Sequence, residues 1–315
     1  MKKQKVWVKK MVAGIMAFAC FVGSCAPMTS MAAESTKTAV VSETDSQDDV
    51  TYYVALGDSI TAGSNTYVNK VSDYLDKTYG NCQTFNLAGD GWMSGDLLDA
   101  LTNPLNIRYS TFQAILREAD YITLDIGSND LLLTVMGIVS AGLGCSPDQL
   151  QAVTTQWANK FQTAQGLELF MLGLQALSMG YKINYELNYG TTLPNAISQF
   201  ESNYKQIVSE IEKIAPNAKL YIGNIYNPYV KAASIYLGTY EAVNVEKLAR
   251  TYILQMNKII ANNASGNVVV DLYNTINNPK YIKGDVANYD YDPHPNDAGH
   301  AAIAAKFIAA MKAGK

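Results

Sequence analysis

The sequence predicts an α/β domain, a parallel sheet of about five strands with helices over both faces. Three observations carry this reading. From Thr51 onward, short β-favouring apolar runs alternate with longer stretches of helical periodicity. Three of those runs end at, or shortly before, compact blocks rich in Gly, Asp, Ser and Asn, where an open parallel sheet binds its ligands. Finally, the 265 residues from 51 to 315 contain no internal repeat and no second linker, so one domain accommodates them.

Residues 52–56 (Tyr-Tyr-Val-Ala-Leu) read as the first strand, ending at Gly57. A helix follows over 66–79, with Tyr67, Val68, Val71, Tyr74 and Leu75 at helical spacing. Residues 83–87 form a second strand, and 121–126 a third that ends at Gly127. A long insertion then runs from Leu131 to Pro194. Its apolar stretches at 131–139 and 167–174, with the adaptable Met136, Met171 and Met179, read either as a cap with an acyl-chain groove or as extra core helices. A helix over 197–214 places Phe200, Tyr204, Ile207, Val208, Ile211 and Ile214 on one face. Strand 219–223, helix 243–261, strand 267–272 and an alanine-rich helix over 297–312 complete the pattern.

The amino-terminal end has a different character. Lys2, Lys3, Lys5, Lys9 and Lys10 precede an apolar run from Met11 to about Cys25, followed by small residues at Ser30, Ala32 and Ala33. This is the pattern of a secretory signal over 1–32, too short for a membrane span, and it predicts an extracellular protein. Val22-Gly23-Ser24-Cys25 is a competing lipobox, which would leave a surface lipoprotein anchored at Cys25. Residues 33–50 are polar and rich in Ser, Thr and Asp, and read as a disordered linker. Loss of the leader removes five lysines and no acids, taking the formal net charge from −4 to −9. Such a chain disfavours nucleic acid and anionic membranes as partners. Cys82 and Cys145 are then the remaining cysteines; one bridge is open, a disulfide framework is not. No metal-ligand spacing occurs, and no cofactor is implied.

Four blocks carry chemistry: Gly57-Asp58-Ser59-Ile60-Thr61-Ala62-Gly63, Asn86-Leu87-Ala88-Gly89-Asp90-Gly91, Gly127-Ser128-Asn129-Asp130 and Asp292-Pro293-His294-Pro295-Asn296. Ser59 follows a strand in a glycine-flanked turn leading toward a helix; it is a candidate nucleophile, or else a helix cap. Gly91 has a backbone N–H that no Cβ shields, and Asn129 a side-chain amide; both suit an oxyanion hole, and both also suit ordinary loops. Asp58 reads as a turn former and Asp130 as a loop brace. His294, between two prolines, is a candidate general base, whereas His300 reads as structural.

These blocks, in this order, resemble the SGNH hydrolases, also called GDSL lipases and esterases, over residues 51–315. Gly-Asp-Ser-Ile stands where Gly-Asp-Ser-Leu is usual. The resemblance implies a flavodoxin-like α/β/α sandwich and an ester hydrolase with Ser59 as nucleophile. It also implies His294 as base and an oxyanion hole from the Ser59 and Gly91 N–H groups and the Asn129 amide. The family usually has its aspartate three residues before the histidine, where this chain has Tyr291. Asp292 is the favoured orienter, with Asp290 or a backbone carbonyl as the other choices. The implied substrate is a small-molecule or lipid ester, lysophospholipids included. The tyrosines at 221, 226, 229, 236, 240, 281, 289 and 291 keep a carbohydrate O-acetyl esterase open, and an inactive secreted binding module is the non-enzyme alternative.

Overall fold

The computed structural model describes residues 50–232, 234–237, 240–285 and 292–314. The predicted leader with Cys25, residues 33–49 of the predicted linker, and Asp290 lie outside the described residues. In chain order the elements are β1 (Thr51–Gly57), α1 (Tyr67–Tyr79), β2 (Cys82–Asn86), α2 (Ser94–Thr102), α3 (Tyr109–Arg117) and β3 (Tyr121–Asp125). Then come α4 (Ser128–Leu143), α5 (Leu150–Thr163), α6 (Gly166–Tyr189), α7 (Thr192–Ile214) and β4 (Lys219–Gly223). The chain ends with β5 (Ile235–Leu237), β6 (Tyr240–Val243), α8 (Val245–Asn262), β7 (Val268–Val270) and α9 (Asp297–Ala313).

Five strands form one sheet in the order β2-β1-β3-β4-β7, every neighbouring pair parallel. This is the doubly wound, flavodoxin-like order, in which the chain reverses direction across the sheet between β1 and β3. Successive side chains of a strand point to opposite faces, and the two faces have separate cores. Val54 and Leu56 of β1, Ile122 and Leu124 of β3, and Leu220 and Ile222 of β4 pack toward one face with residues of α2, α3, α4, α7 and α8. Tyr53, Ala55, Tyr121, Tyr221 and Val270 pack toward the other, with Tyr67, Val71 and Leu75 of α1 and Ile303, Phe307 and Met311 of α9. Tyr67 stacks on Phe307 at 5.1 Å, both fully buried. Burial of each such side chain contributes about 1.5–3 kcal/mol before entropy is counted.

Local signals set the helix ends. The Thr66 hydroxyl accepts from the Val68 N–H, and the Asn69 side chain reciprocates on the Thr66 N–H, so α1 starts there. Gly80, at φ 90°, stops it. The insertion is helical. Helix α6 buries Gly173, Ala176, Ile183 and Leu187 on one side, while Leu167, Phe170, Met171 and Leu174 of its first half are 46–75% exposed. Helix α4 starts at the sheet rim and meets α6 where Gly142 packs against Ile183. The short helices α2 and α3 and the β5–β6 hairpin were not anticipated from sequence. Cys82 and Cys145 are both free thiols, half-buried.

Candidate active site

The turn that carries Ser59 is built from Asp58. Its carbonyl accepts the Thr61 and Ala62 N–H groups at 3.0 and 2.9 Å, and its Oδ1 accepts the Ile60 N–H at 3.0 Å. A single helical turn results, with Ser59 half-buried at its apex. Gly57 must be glycine, because a Cβ there would collide with the Thr61 side chain and the Asp125 carbonyl. Ser59 is no helix cap: α1 begins at Tyr67 with Thr66 as its cap. The helix toward which the Ser59 turn leads therefore starts eight residues further along the chain. The Asn86 side chain ties the end of β2 to the turn, donating to the Thr61 carbonyl at 2.8 Å.

The second and third blocks arrive from the strands flanking β1. The Leu87 and Gly89 N–H groups bond the carbonyls of Ala55 and Gly57 at 2.9 and 3.1 Å, extending the β2 pairing into the loop. Gly91 then turns at φ 72°, a conformation that costs any residue with a Cβ about 1–2 kcal/mol. Neither the Ser59 nor the Gly91 N–H donates within the described residues. Asn129, in the first turn of α4, donates one amide N–H to the Trp92 carbonyl at 3.0 Å. An amide NH₂ has two donors, so this bond fixes the group and leaves its second N–H for a ligand. Asp130 braces the same corner. It accepts the Ser94 N–H and hydroxyl at 2.8 and 2.5 Å, and Asn203 of α7 donates to the Ser94 hydroxyl at 3.0 Å.

The fourth block reaches the turn from the loop before α9. His294 Nε2 lies 2.9 Å from Ser59 Oγ, across 235 residues of sequence. His294 Nδ1 lies 2.6 Å from Asp292 Oδ1, which also accepts the His294 backbone N–H at 3.0 Å. Burial pushes the Asp292 carboxyl up, but these hydrogen bonds outweigh it and hold the group below the usual carboxylate range. An ionised carboxylate only accepts, so Nδ1 carries the ring proton and Nε2 is left to accept the serine hydroxyl. The loop is pinned from outside: the Tyr226 hydroxyl donates to the Pro293 carbonyl at 2.8 Å, and the Lys283 N–H to the His294 carbonyl at 2.9 Å.

The five singled-out residues thus divide cleanly. Ser59, His294 and Asp292 form one hydrogen-bonded chain, while Gly91 and Asn129 are brought to the same rim through Trp92, whose N–H and carbonyl bond Gly89 and Asn129. Sequence reasoning gave no role to Asn86, Trp92, Ser94 or Asn203, and read Tyr226 only as a candidate sugar-stacking residue; each acts through a tertiary bond between ordinary residue types. His300 is buried in α9, and desolvation lowers its pKa to about 4, which keeps the ring neutral. Three acids beneath the site are raised by burial: Asp58 well above the ordinary range, Asp125 to about 7 and Asp130 to about 6. Among the described residues no group of three His, Cys, Asp or Glu side chains could hold a metal ion. No described helix is long and apolar enough to cross a membrane.

Residues 55–302 match the profile of the GDSL-like Lipase/Acylhydrolase family. The chain belongs to that family. Among curated proteins, this GDSL-family chain is 23% identical over 265 residues to the uncharacterized protein YpmR of Bacillus subtilis, spanning 82% of its own length and 80% of that protein. Among solved structures it is similar to the lipase Lip_vut3 from a goat rumen metagenome, with TM-score 0.52 and 18% identity, over 82% of this chain and 97% of that one. It is also similar to an extracellular lipase of Streptomyces rimosus, with TM-score 0.47 and 14% identity, over 84% of this chain and all of that one. Family and fold agree with an ester hydrolase on a five-stranded parallel sheet.

Proposed function

We propose that this GDSL-family hydrolase is a secreted serine esterase cleaving carboxylic esters through an acyl-enzyme. The observation that carries the reading is the 2.9 Å contact between Ser59 Oγ and His294 Nε2. Neutral His294 takes the Ser59 proton as the hydroxyl attacks the ester carbonyl. The resulting oxyanion accepts from the Ser59 and Gly91 N–H groups and the free N–H of Asn129. The imidazolium, held by Asp292, then protonates the departing alcohol. Water repeats the sequence on the acyl-enzyme, releasing the carboxylic acid and restoring the serine.

Substrates with medium or long acyl chains fit best. The exposed apolar residues of α6 belong to the helical insertion that α4 leads into, and the first turn of α4 carries Asn129. Of the tyrosines behind the carbohydrate alternative, Tyr221, Tyr226 and Tyr229 are buried and offer no stacking platform. The amino-terminal leader pattern supports export.

The test is a series of nitrophenyl esters from acetate to palmitate, run beside fluorophosphonate labelling. Wild type should label and turn over, Ser59→Ala should do neither, and Asn129→Ala should lose about 10²–10³ in kcat. Wild-type turnover by Ser59→Ala would end the reading. A strict preference for acetate would end the chain-length part alone.

A further inference from the structure

Two carboxyl groups are sealed beneath the nucleophile turn. Asp58 is fully buried and Asp125 is 2% exposed. Asp125 ends β3 in register with Gly57 of β1, and the Asp58 N–H donates to the Asp125 carbonyl at 3.3 Å. Each side chain keeps its Oδ2 buried with no hydrogen-bond partner. Neither has a lysine or arginine at ion-pair distance among the described residues. The groups that face them are the phenols of Tyr67 from α1, Tyr204 from α7 and Tyr226 from the loop after β4, together with Asp130 of α4 and the His294 ring. Two ionised carboxylates in such a place would be two uncompensated buried charges, which proteins avoid by retaining a proton.

We propose that Asp58 and Asp125 hold one proton between them in the working enzyme, and that Asp125 is thereby a positioning residue for Ser59. The inference rests on Ser59 being the nucleophile. With the proton in place, the Asp58 carboxyl carries one net charge at most, shared with its neighbour, and its hydrogen bond to Ile60 holds the turn. Without it, a second negative charge appears under the turn. That charge repels Asp58 and opposes the developing oxyanion. Activity should therefore have an alkaline limb that the Ser-His-Asp chain alone does not produce. Burial raises both groups, Asp125 to about 7, which places that limb just above neutrality.

The decisive variants are Asp125→Asn, neutral and of the same shape, and Asp125→Ala. Wild-type kcat/KM on a nitrophenyl butyrate should rise from acid pH to a maximum and then fall at least about tenfold by pH 9. Asp125→Asn should keep the rise and lose the fall. Asp125→Ala should be weakened at every pH, because the turn loses its support. Infrared difference spectra of the wild type across the same pH range should contain a protonated-carboxyl band that is lost just above neutrality, and Asp125→Asn should lack that step. The wild-type melting temperature should fall relative to that of Asp125→Asn as pH climbs from about 4 through 7, since the wild-type folded state retains a proton that the unfolded state gives up. The proposal is overturned if the infrared band is absent, if Asp125→Asn keeps the alkaline limb, or if the folded Asn variant is inactive at every pH. Failure of the esterase reading itself appears separately, as absent fluorophosphonate labelling in the wild type.

Discussion

Replacing Asp292 by asparagine tests the most specific choice at this site. The carboxylate accepts from His294 Nδ1 at 2.6 Å and from the His294 backbone N–H at 3.0 Å. Opposite unit charges about 4 Å apart attract by about 4 kcal/mol at an effective dielectric of about 20. The two side chains are 26% and 30% exposed, so solvent screens part of this, leaving about 2–4 kcal/mol for the imidazolium that forms during reaction. At about 1.4 kcal/mol per decade that is a loss of roughly 30- to 1,000-fold in kcat. Asparagine can also turn its NH₂ toward Nδ1, which moves the ring proton to Nε2 and disables the base, and such a change lowers kcat by about 10⁴. The expected loss is therefore about 10³–10⁴, with KM little changed. The assay is steady-state hydrolysis of nitrophenyl butyrate at pH 8, beside thermal melts to show that the variant folds. A folded Asp292→Asn within tenfold of wild type would refute the reasoning and hand the role to Asp290 or to a backbone carbonyl.

Gly91→Ala should introduce about 1–2 kcal/mol of strain at φ 72°, and a loop that relaxes by withdrawing its N–H should lose about tenfold or more in kcat. Unchanged kcat would exclude that N–H from the oxyanion hole. Ser94→Ala removes a 2.5 Å donor from buried Asp130 and the acceptor of Asn203; chemical denaturation should register a loss of about 1–3 kcal/mol. His300 is neutral in the fold because burial lowers its pKa to about 4, so the unfolded chain takes up a proton first as pH falls through 6.5. Stability should decline from about pH 6.5 to 4, and His300→Gln should make that decline shallower in melts at stepped pH.

The parts of the molecule that follow from local pattern were legible before any coordinates. Strands β1, β3 and β4 are apolar on both faces, helices α1 and α7 carry clear stripes, and the blocks after β1, β2 and β3 stand at the ends of their strands. Helices α2 and α3 were not legible. Each is only nine residues long, and Asn103, Pro104 and Asn106 between them read as loop. The three-residue β5 sits below the length at which a strand pattern can be counted. At the site, the residue types announced themselves, but their supports did not. Asn86, Trp92, Ser94 and Asn203 act through bonds that span 25 to 109 residues of sequence. Asp125 did leave a signal in the sequence, a lone acid between Leu124 and Ile126 in an otherwise uncharged strand.

Helix α9 follows every other described strand and helix along the chain, and it stacks Phe307 on Tyr67 at the opposite face of the sheet from α7. The loop that leads into it carries the imidazole. With α9 undocked, the Ser59 hydroxyl would have no imidazole beside it. Under the proposed mechanism, a variant that loosens the Tyr67–Phe307 stack should therefore lose activity at a site it never touches.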